Sequence, residues 1–306
     1  MTKHVLVTGG AGFIGSHLVD AYLGRGWRVS VIDDLSTGDR RNLNAAARLY
    51  EADLRDPSTM ALLDELRPDL INHHAAQMDV RYSVANPAAD AEANIIASLR
   101  LLQKATECGV KRFIFASSGG AVYGEPRFAP QTEEHPVAPM SPYGCAKLAV
   151  EHYLEYYRVV LGLSSAALRY ANVYGPRQSA KGEAGVIAIF ARRLLAGDGV
   201  TINGSGEQTR DFVYVGDVVA ANMAVSEGDM QGVYNVGTGV ETTINELYDM
   251  MAAMLGVSGE AAHAPAKTGE QLRSVVDGSR LAAHAGLPRP VGLRDGLPRT
   301  IEFFRG

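Results

Sequence analysis

Residues 5–15 read Val-Leu-Val-Thr-Gly-Gly-Ala-Gly-Phe-Ile-Gly. An apolar, β-branched run breaks into glycines and passes at once into a helical pattern, Ser16-His17-Leu18-Val19-Asp20. Gly10, Gly12 and Gly15 fit G-x-G-x-x-G, and Gly9, Gly12 and Gly15 fit G-x-x-G-x-x-G. Both registers meet the same need. One glycine makes the tight turn, one lets the backbone approach a pyrophosphate, and one lets the helix pack closely on its strand. The helix N-terminus offers free N–H groups and a partial positive charge to the phosphates.

A glycine pattern alone also fits an ordinary tight turn, so its context decides. A second strand, Trp27-Arg-Val-Ser-Val-Ile-Asp33, ends in an acid 18 residues after Gly15. A carboxylate there accepts the ribose hydroxyls of an adenosine and repels a 2′-phosphate. Asp34 follows, with no arginine directly after it, and the cofactor expected is NAD rather than NADP; Arg40 and Arg41 are the residues that could fold back to change this. Strand-like runs at 4–8, 28–33, 48–52, 69–74, 111–117 and 164–170 alternate with helical ones at 13–25, 58–66, 91–108 and 144–161. That alternation predicts an α/β fold, a Rossmann-type doubly wound parallel sheet covered on both faces.

Beyond residue 171 the segments shorten and gain Gly and Pro, as in Tyr174-Gly-Pro-Arg177 and Asn203-Gly-Ser-Gly206. Helices are expected near 184–196, 243–255, 279–285 and 292–304. The division expected is a dinucleotide-binding domain over 1–171, to which later segments return, and a smaller C-terminal substrate lobe over 172–306, with a cleft between them.

The balance of charge, −5 overall with acids and bases interspersed, argues against a nucleic-acid partner. Two cysteines, Cys108 and Cys145, imply no disulfide framework. His73 and His74 are adjacent, point to opposite faces of a strand, and read as a strand-end pair beside the cofactor rather than as a metal site. The first strand begins by residue 4, leaving no room for a signal peptide, and no apolar stretch approaches the ~20 residues that span a bilayer. The cytoplasm is the expected location.

Residues 141–152 read Ser-Pro-Tyr-Gly-Cys-Ala-Lys-Leu-Ala-Val-Glu-His. Pro142 suits the first turn of a helix, which places Tyr143 and Lys147 at i, i+4 on one face. An ammonium beside a phenol favours the phenolate, giving a base for an alcohol from which a hydride is leaving. Such a spacing is common on surfaces; roughly 130 residues after a dinucleotide loop it carries meaning. Phe113-Ile-Phe-Ala-Ser-Ser-Gly-Gly-Ala-Val-Tyr-Gly124 is a buried strand emerging into serines and glycines. Ligands sit at the carboxyl ends of such strands, so Ser117 and Ser118 are expected to face cofactor and substrate, although Ser and Gly also fill plain turns.

Together with Asp33-Asp-Leu-Ser-Thr-Gly38, Ala52-Asp-Leu54, His74-Ala-Ala-Gln77, Arg169-Tyr-Ala-Asn-Val-Tyr-Gly-Pro-Arg177 and Gln208-Thr-Arg-Asp-Phe-Val-Tyr-Val215, these motifs resemble the extended short-chain dehydrogenase/reductase family over nearly the whole chain. Within it they resemble the nucleotide-sugar 4-epimerases of UDP-glucose 4-epimerase type. The resemblance implies NAD-dependent inversion at C4 of a UDP-hexose and a homodimer joined through the helices near 91–108 and 144–161. It assigns Gly9, Gly12, Phe13, Ile14 and Gly15 to the pyrophosphate, and Asp33, Asp34, Ser36, Thr37 and Gly38 to the adenosine ribose. It assigns Asp53 and Leu54 to the adenine. His74, Ala75, Ala76, Gln77, Ala116, Ser117 and Tyr170 line the path to the nicotinamide, with Tyr143 and Lys147 as the catalytic pair. Asn172 and Arg210 match contacts to the sugar-nucleotide diphosphate, and Lys267 and Glu270 stand where a basic residue and an acid serve phosphate and ribose.

The chain departs from the pattern at three places. Gly119 stands where a catalytic Ser or Thr is usual, which leaves Ser118, Ser117 or Tyr143 alone to handle the proton of the 4-OH. Met78 replaces a frequent lysine. Ser274 stands where a bulky aromatic narrows the sugar pocket, so room for a 2-N-acetyl group is expected. The rival readings are a sugar-nucleotide 4,6-dehydratase, which needs an acid pair where this chain has Gly119-Gly120-Ala121, a UDP-glucuronate epimerase or decarboxylase with Arg81 as a carboxylate contact, and a non-catalytic dinucleotide sensor.

Overall fold

The computed structural model describes residues 2–179, 185–266 and 271–306. Seven parallel strands form the central sheet. Six follow the sequence pattern: β1 (His4–Thr8), β2 (Arg28–Asp33), β3 (Arg48–Glu51), β4 (Leu70–His73), β5 (Arg112–Ser118) and β6 (Ser164–Tyr170). The seventh, Gly232–Val236, adds to the edge beyond β6, giving the order Gly232–Val236, β6, β5, β4, β1, β2, β3. The order reverses between β1 and β4, whose ends pair Thr8 with His73. A crevice opens outside the carboxyl ends at such a switch point.

Alternation along the strands splits the core into two layers. Val5 and Val7 face one side, with Val31, Leu18, Val19 and Tyr22, and with Val218, Ala221 and Val225 of the helix Val215–Glu227. Leu6, Ile32 and Ile71 face the other, with Leu101, Leu102, Phe113, Phe115, Val150 and Leu154. Residues 215–236 thus lie on the sheet domain, although they come late in the chain. A separate core of Ile187, Phe190, Ile244, Leu247, Met251, Leu297 and Ile301 holds the C-terminal lobe.

A polar chain crosses the first layer. Ser226 and Tyr22 share a hydrogen bond of 2.5 Å. Asn72 donates to the Tyr22 hydroxyl at 2.9 Å and to Asn222 at 3.0 Å. Asn222 donates to the Tyr170 hydroxyl at 2.8 Å, and His74 lies 3.0 Å from the same hydroxyl. The chain therefore runs from the first helix, α1 (Phe13–Gly24), to the end of β4.

Candidate active site

The glycine loop closes the gap between β1 and α1. Gly9 has φ +67, and a Cβ on it would lie 2.7 Å from the Ala75 nitrogen. A Cβ on Gly15 would lie 2.1 Å from the Gly9 carbonyl oxygen, so only glycine lets α1 sit this near the turn. A Cβ on Gly10 would lie 2.7 Å from Val31 Cγ1, so close packing on β2 holds this position to glycine as well. Gly12 is the N-cap of α1 and supplies no side-chain cap. The N–H groups of the first turn, at Phe13 and Ile14, are left for an anion.

Asp33 ends β2 and is 7% exposed. Its oxygens accept from Ala11 N and Leu35 N, both at 2.9 Å, and burial holds its carboxyl above the usual range. Gly38 lies against it. Asp34, Ser36 and Thr37 are exposed beside it, and Asp34 accepts from Ser36 N at 3.0 Å. Arg40 is paired with Glu51 and Arg41 with Asp39, each at 2.5 Å, so both guanidiniums already have carboxylate partners. Asp53 pairs with Arg55 at 2.7 Å, and Leu54 is buried next to it.

Ala75, Ala76 and Gln77 form the loop after β4. Thr8 Oγ1 accepts from His74 N and Ala75 N at 3.2 Å, and lies 2.6 Å from His73 Nδ1. Burial lowers both histidines to about 3, so they stay neutral. Among the described residues no group of three or more His, Cys, Asp or Glu side chains could hold a metal.

The helix Pro142–Leu161 begins with Ser141 as N-cap, its hydroxyl accepting from Gly144 N at 3.1 Å, and with proline in its first turn. It brings Tyr143 and Lys147 to one face. Lys147 is 4% exposed; its Nζ donates to the Ala116 carbonyl at 2.9 Å and lies 5.6 Å from the Tyr143 ring centre. Burial lowers its ammonium to about 8. Burial, then the charge of Asp90, raises the Tyr143 phenol above its ordinary value. The residues themselves hold the phenol protonated, against the sequence expectation that the lysine dominates. The helix carries the pair close to the end of β5, since Ala116 belongs to that strand.

The two serines part company. Ser117 is buried and donates to Glu151 at 2.5 Å, beside the Arg169–Glu151 ion pair at 2.6 Å. Ser118 caps the short helix Gly119–Tyr123, its hydroxyl 3.4 Å from Ala121 N, and stays half-buried. A Cβ on Gly119 would lie 2.8 Å from Val276 Cγ1 and would also face the carbonyls of Tyr170 and Arg169. The position expected to carry a hydroxyl therefore points into packed protein. A Cβ on Gly120 would lie 3.2 Å from Ser274 Oγ. Ser274 is 2% exposed, so the room it leaves lies beneath Gly120 rather than in open cleft.

Asn172 is exposed just past β6, and its N–H bonds the Asp211 carbonyl at 2.9 Å. Arg210 lies on the strand Thr209–Arg210 and donates to the Thr209 carbonyl at 2.8 Å. Asp211, which the sequence pattern did not single out, fixes this region. It is fully buried, and its carboxylate accepts from Thr238 N, Thr238 Oγ1, Gly239 N and Val276 N. An acid between an arginine and the aromatic-branched run Phe212-Val-Tyr214 is the one signal that marks it. Lys267 and Glu270 lie outside the described residues.

With this geometry in hand, the chain matches the family model for the NAD dependent epimerase/dehydratase family over residues 5–237. It is 44% identical over 306 residues to UDP-glucose 4-epimerase of Mycolicibacterium smegmatis, covering 98% of each chain. The solved UDP-glucose 4-epimerase of Thermotoga maritima with UDP-glucose is 47% identical, with a TM-score of 0.96 over 99% of this chain and 98% of that one. The UDP-glucose 4-epimerase of Thermus thermophilus in complex with NAD is 44% identical, with a TM-score of 0.94 over 99% of each.

Proposed function

Because the chain belongs to the NAD dependent epimerase/dehydratase family, we propose that it inverts C4 of a UDP-hexose, interconverting UDP-glucose and UDP-galactose through a transient 4-keto sugar. One observation carries the reading: Tyr143 and Lys147 share a helix face against the end of β5, with Lys147 tied to Ala116. An acid–base pair at a strand end of a dinucleotide crevice is what alcohol oxidation needs.

The residues present fit NAD. The uncapped N-terminus of α1 and the cradle at Gly9, Gly12 and Gly15 would hold the pyrophosphate with Phe13 and Ile14 N–H groups. Asp33 would hold the adenosine ribose, with Asp34, Ser36, Thr37 and Gly38 around it, and Asp53 and Leu54 would meet the adenine. His74, Ala75, Ala76, Gln77, Ala116, Ser117 and Tyr170 would flank the nicotinamide end; for Ser117 this means its backbone, since its hydroxyl is committed to Glu151. Bound NAD⁺ supplies a reversible acceptor for the C4 hydride.

The chain's own groups then manage protons and position. With the positive charge of bound NAD⁺ added to that of Lys147, the Tyr143 phenol would ionise, take the 4-OH proton and return it after the sugar has turned. Ser118, half-buried beside Gly119, supplies the hydroxyl that Gly119 lacks. Lys147 orients the nicotinamide ribose and keeps positive charge near the phenol. Asn172 and Arg210 hold the UDP diphosphate, a task suited to a planar guanidinium, and Ser274 shapes the sugar pocket through Gly120. A dehydratase would need carboxylates just past β5, where the helix Gly119–Tyr123 has none.

A second copy of the chain is the partner we infer. Tyr153, Tyr156, Val159, Val160 and Leu161 are exposed on the helix that carries the pair, and Ile96 is exposed on the neighbouring one. No helix among the described residues is long and apolar enough to cross a membrane. Two free cysteines suit a reducing compartment such as the cytoplasm.

The test is the product formed from UDP-glucose and NAD. UDP-galactose is expected; a 4-keto-6-deoxy sugar, or no product, refutes the reading. Tyr143→Phe is expected to lower turnover by about 10²–10⁴-fold, the contribution of a general base, with NAD still bound. A near-normal rate removes Tyr143 from the mechanism.

A further inference from the structure

The stretch from Pro87 to Glu107 is interrupted in its middle by a π-helical segment, Glu92–Ile96. Such widened turns are rare and often sit at functional sites, because they turn a side chain that a regular helix would aim elsewhere. Here the segment holds Asn94, which is 3% exposed. Asn94 Nδ2 donates to the Gln77 carbonyl at 2.8 Å and to Asp90 Oδ1 at 2.9 Å, while its Oδ1 accepts from Gln77 N at 2.9 Å. Gln77 Nε2 donates to Asp90 Oδ1 at 2.8 Å and to the Asp79 carbonyl at 3.0 Å.

Asp90 is 1% exposed. Its Oδ1 thus receives two hydrogen bonds, while its Oδ2, equally withdrawn from water, receives none. Buried carboxylates are normally satisfied on both oxygens, so the charge must be answered by something nearby. The helix Pro142–Leu161 packs against this stretch and carries Tyr143 and Lys147.

We propose that Asp90 is a positioning residue for the Tyr143–Lys147 pair: one carboxylate oxygen anchors Gln77 and Asn94, and the carboxylate sets a buried negative charge beside the pair. The proposal rests on the reading of that pair given above. The charge acts on both members. It raises the Tyr143 phenol further, and it opposes the burial that lowers Lys147.

The surrounding groups leave this role to Asp90. His73 and His74, at the end of β4, are held neutral by burial. Glu151, the other carboxylate that bears on Lys147, is held by Arg169 and Ser117. Glu92, on the π segment, pairs with Arg100 at 2.9 Å. Asp79 caps the helix Val80–Ala85 through Tyr82 N, and Arg81 on that helix is exposed. Chemically, an anion here keeps Lys147 an ammonium and makes the Tyr143 phenolate the stronger base for the first abstraction.

The test uses two uncharged variants. Asp90→Asn keeps an oxygen for Gln77 and Asn94, and Asp90→Ala carries the test if the amide does not fold. Wild-type epimerisation of UDP-glucose is measured first, since its absence refutes the reading of the pair rather than the role of Asp90. The second readout is the ultraviolet onset of the Tyr143 phenolate in the NAD-loaded protein, taken against Tyr143→Phe in the same background. Removing the anion lets either proton of the pair leave sooner, so the onset and both limbs of the pH–kcat profile move to lower pH by about one unit. Gln77→Ala, which cuts the side chain's hydrogen bonds to Asp90 and to the Asp79 backbone and keeps the charge, lowers the rate and leaves the onset in place. An onset unmoved in the uncharged variants, or moved equally by Gln77→Ala, overturns the proposal.

Discussion

Gly119→Ser is the substitution that would restore the hydroxyl usual at its position, and the packing here sets it against Val276. The new Cβ would sit 2.8 Å from Val276 Cγ1, where carbon–carbon contacts are comfortable at about 3.5–4.0 Å. Val276 cannot easily retreat. It is fully buried, its N–H bonds Asp211, and its other methyl already stands 2.4 Å from where a Cβ on Gly237 would be. The overlap places Gly119→Ser near the upper part of the ~1–3 kcal/mol range for overpacking. At about 2 °C per kcal/mol for a chain of this length, Tm falls by roughly 4–6 °C. Val276→Ala alone leaves a cavity worth about 2 kcal/mol. Combined, the two substitutions remove the clash, so the double variant melts well above the sum of the singles, with a coupling of about 2 kcal/mol. Scanning calorimetry of the NAD-loaded proteins measures this. Additive Tm losses, or a kcat above wild type in Gly119→Ser, would show that the position faces the substrate and would refute the reasoning.

Asp33→Ala weakens NAD more than NADP, because the carboxylate both holds a hydroxyl and repels a phosphate; calorimetric titration with each cofactor checks it, and an unchanged preference assigns the choice to another residue. Ser118→Ala lowers kcat by orders of magnitude, whereas Ser117→Ala keeps kcat and loses about 1 kcal/mol of stability through the missing bond to Glu151. Steady-state kinetics and melting of the two proteins separate these effects, and a mild Ser118→Ala removes that hydroxyl from the mechanism.

The first six strands were legible because strands buried on both faces read as continuous apolar runs, and β5 shows this from Phe113 to Ala116. Helix Val215–Glu227 was not legible. Val215, Val218, Ala221, Met223 and Val225 bury most of its circumference, so no polar stripe alternates with an apolar one to betray the period. The strand Gly232–Val236 follows it, opens on a glycine at φ +89, and is too short to stand out. At the site, the i, i+4 spacing brought out Tyr143 and Lys147, but the burial that shifts both, and the charge of Asp90 that adds to one shift and opposes the other, come only with folding. No spacing rule could find Asp90, because the π segment shifts the helix register. Ser117 and Ser118 look alike in sequence; strand alternation turns one toward Glu151, and the start of a new helix claims the other. The direction of Gly119 likewise depends on Val276, more than 150 residues later.

The polar chain from Ser226 through Tyr22, Asn72 and Asn222 to Tyr170 and His74 has a mechanical consequence. Apolar layers can slide by small amounts with little penalty, since one methyl contact replaces another. Groups that are buried and matched donor to acceptor cannot, because a shift of α1 against the helix Val215–Glu227 strands several of them together, at about 1–3 kcal/mol each. The chain acts as a shear pin. It ties the helix that would grip the pyrophosphate to the late segment that returns from the sugar lobe, so these two open as one unit or not at all.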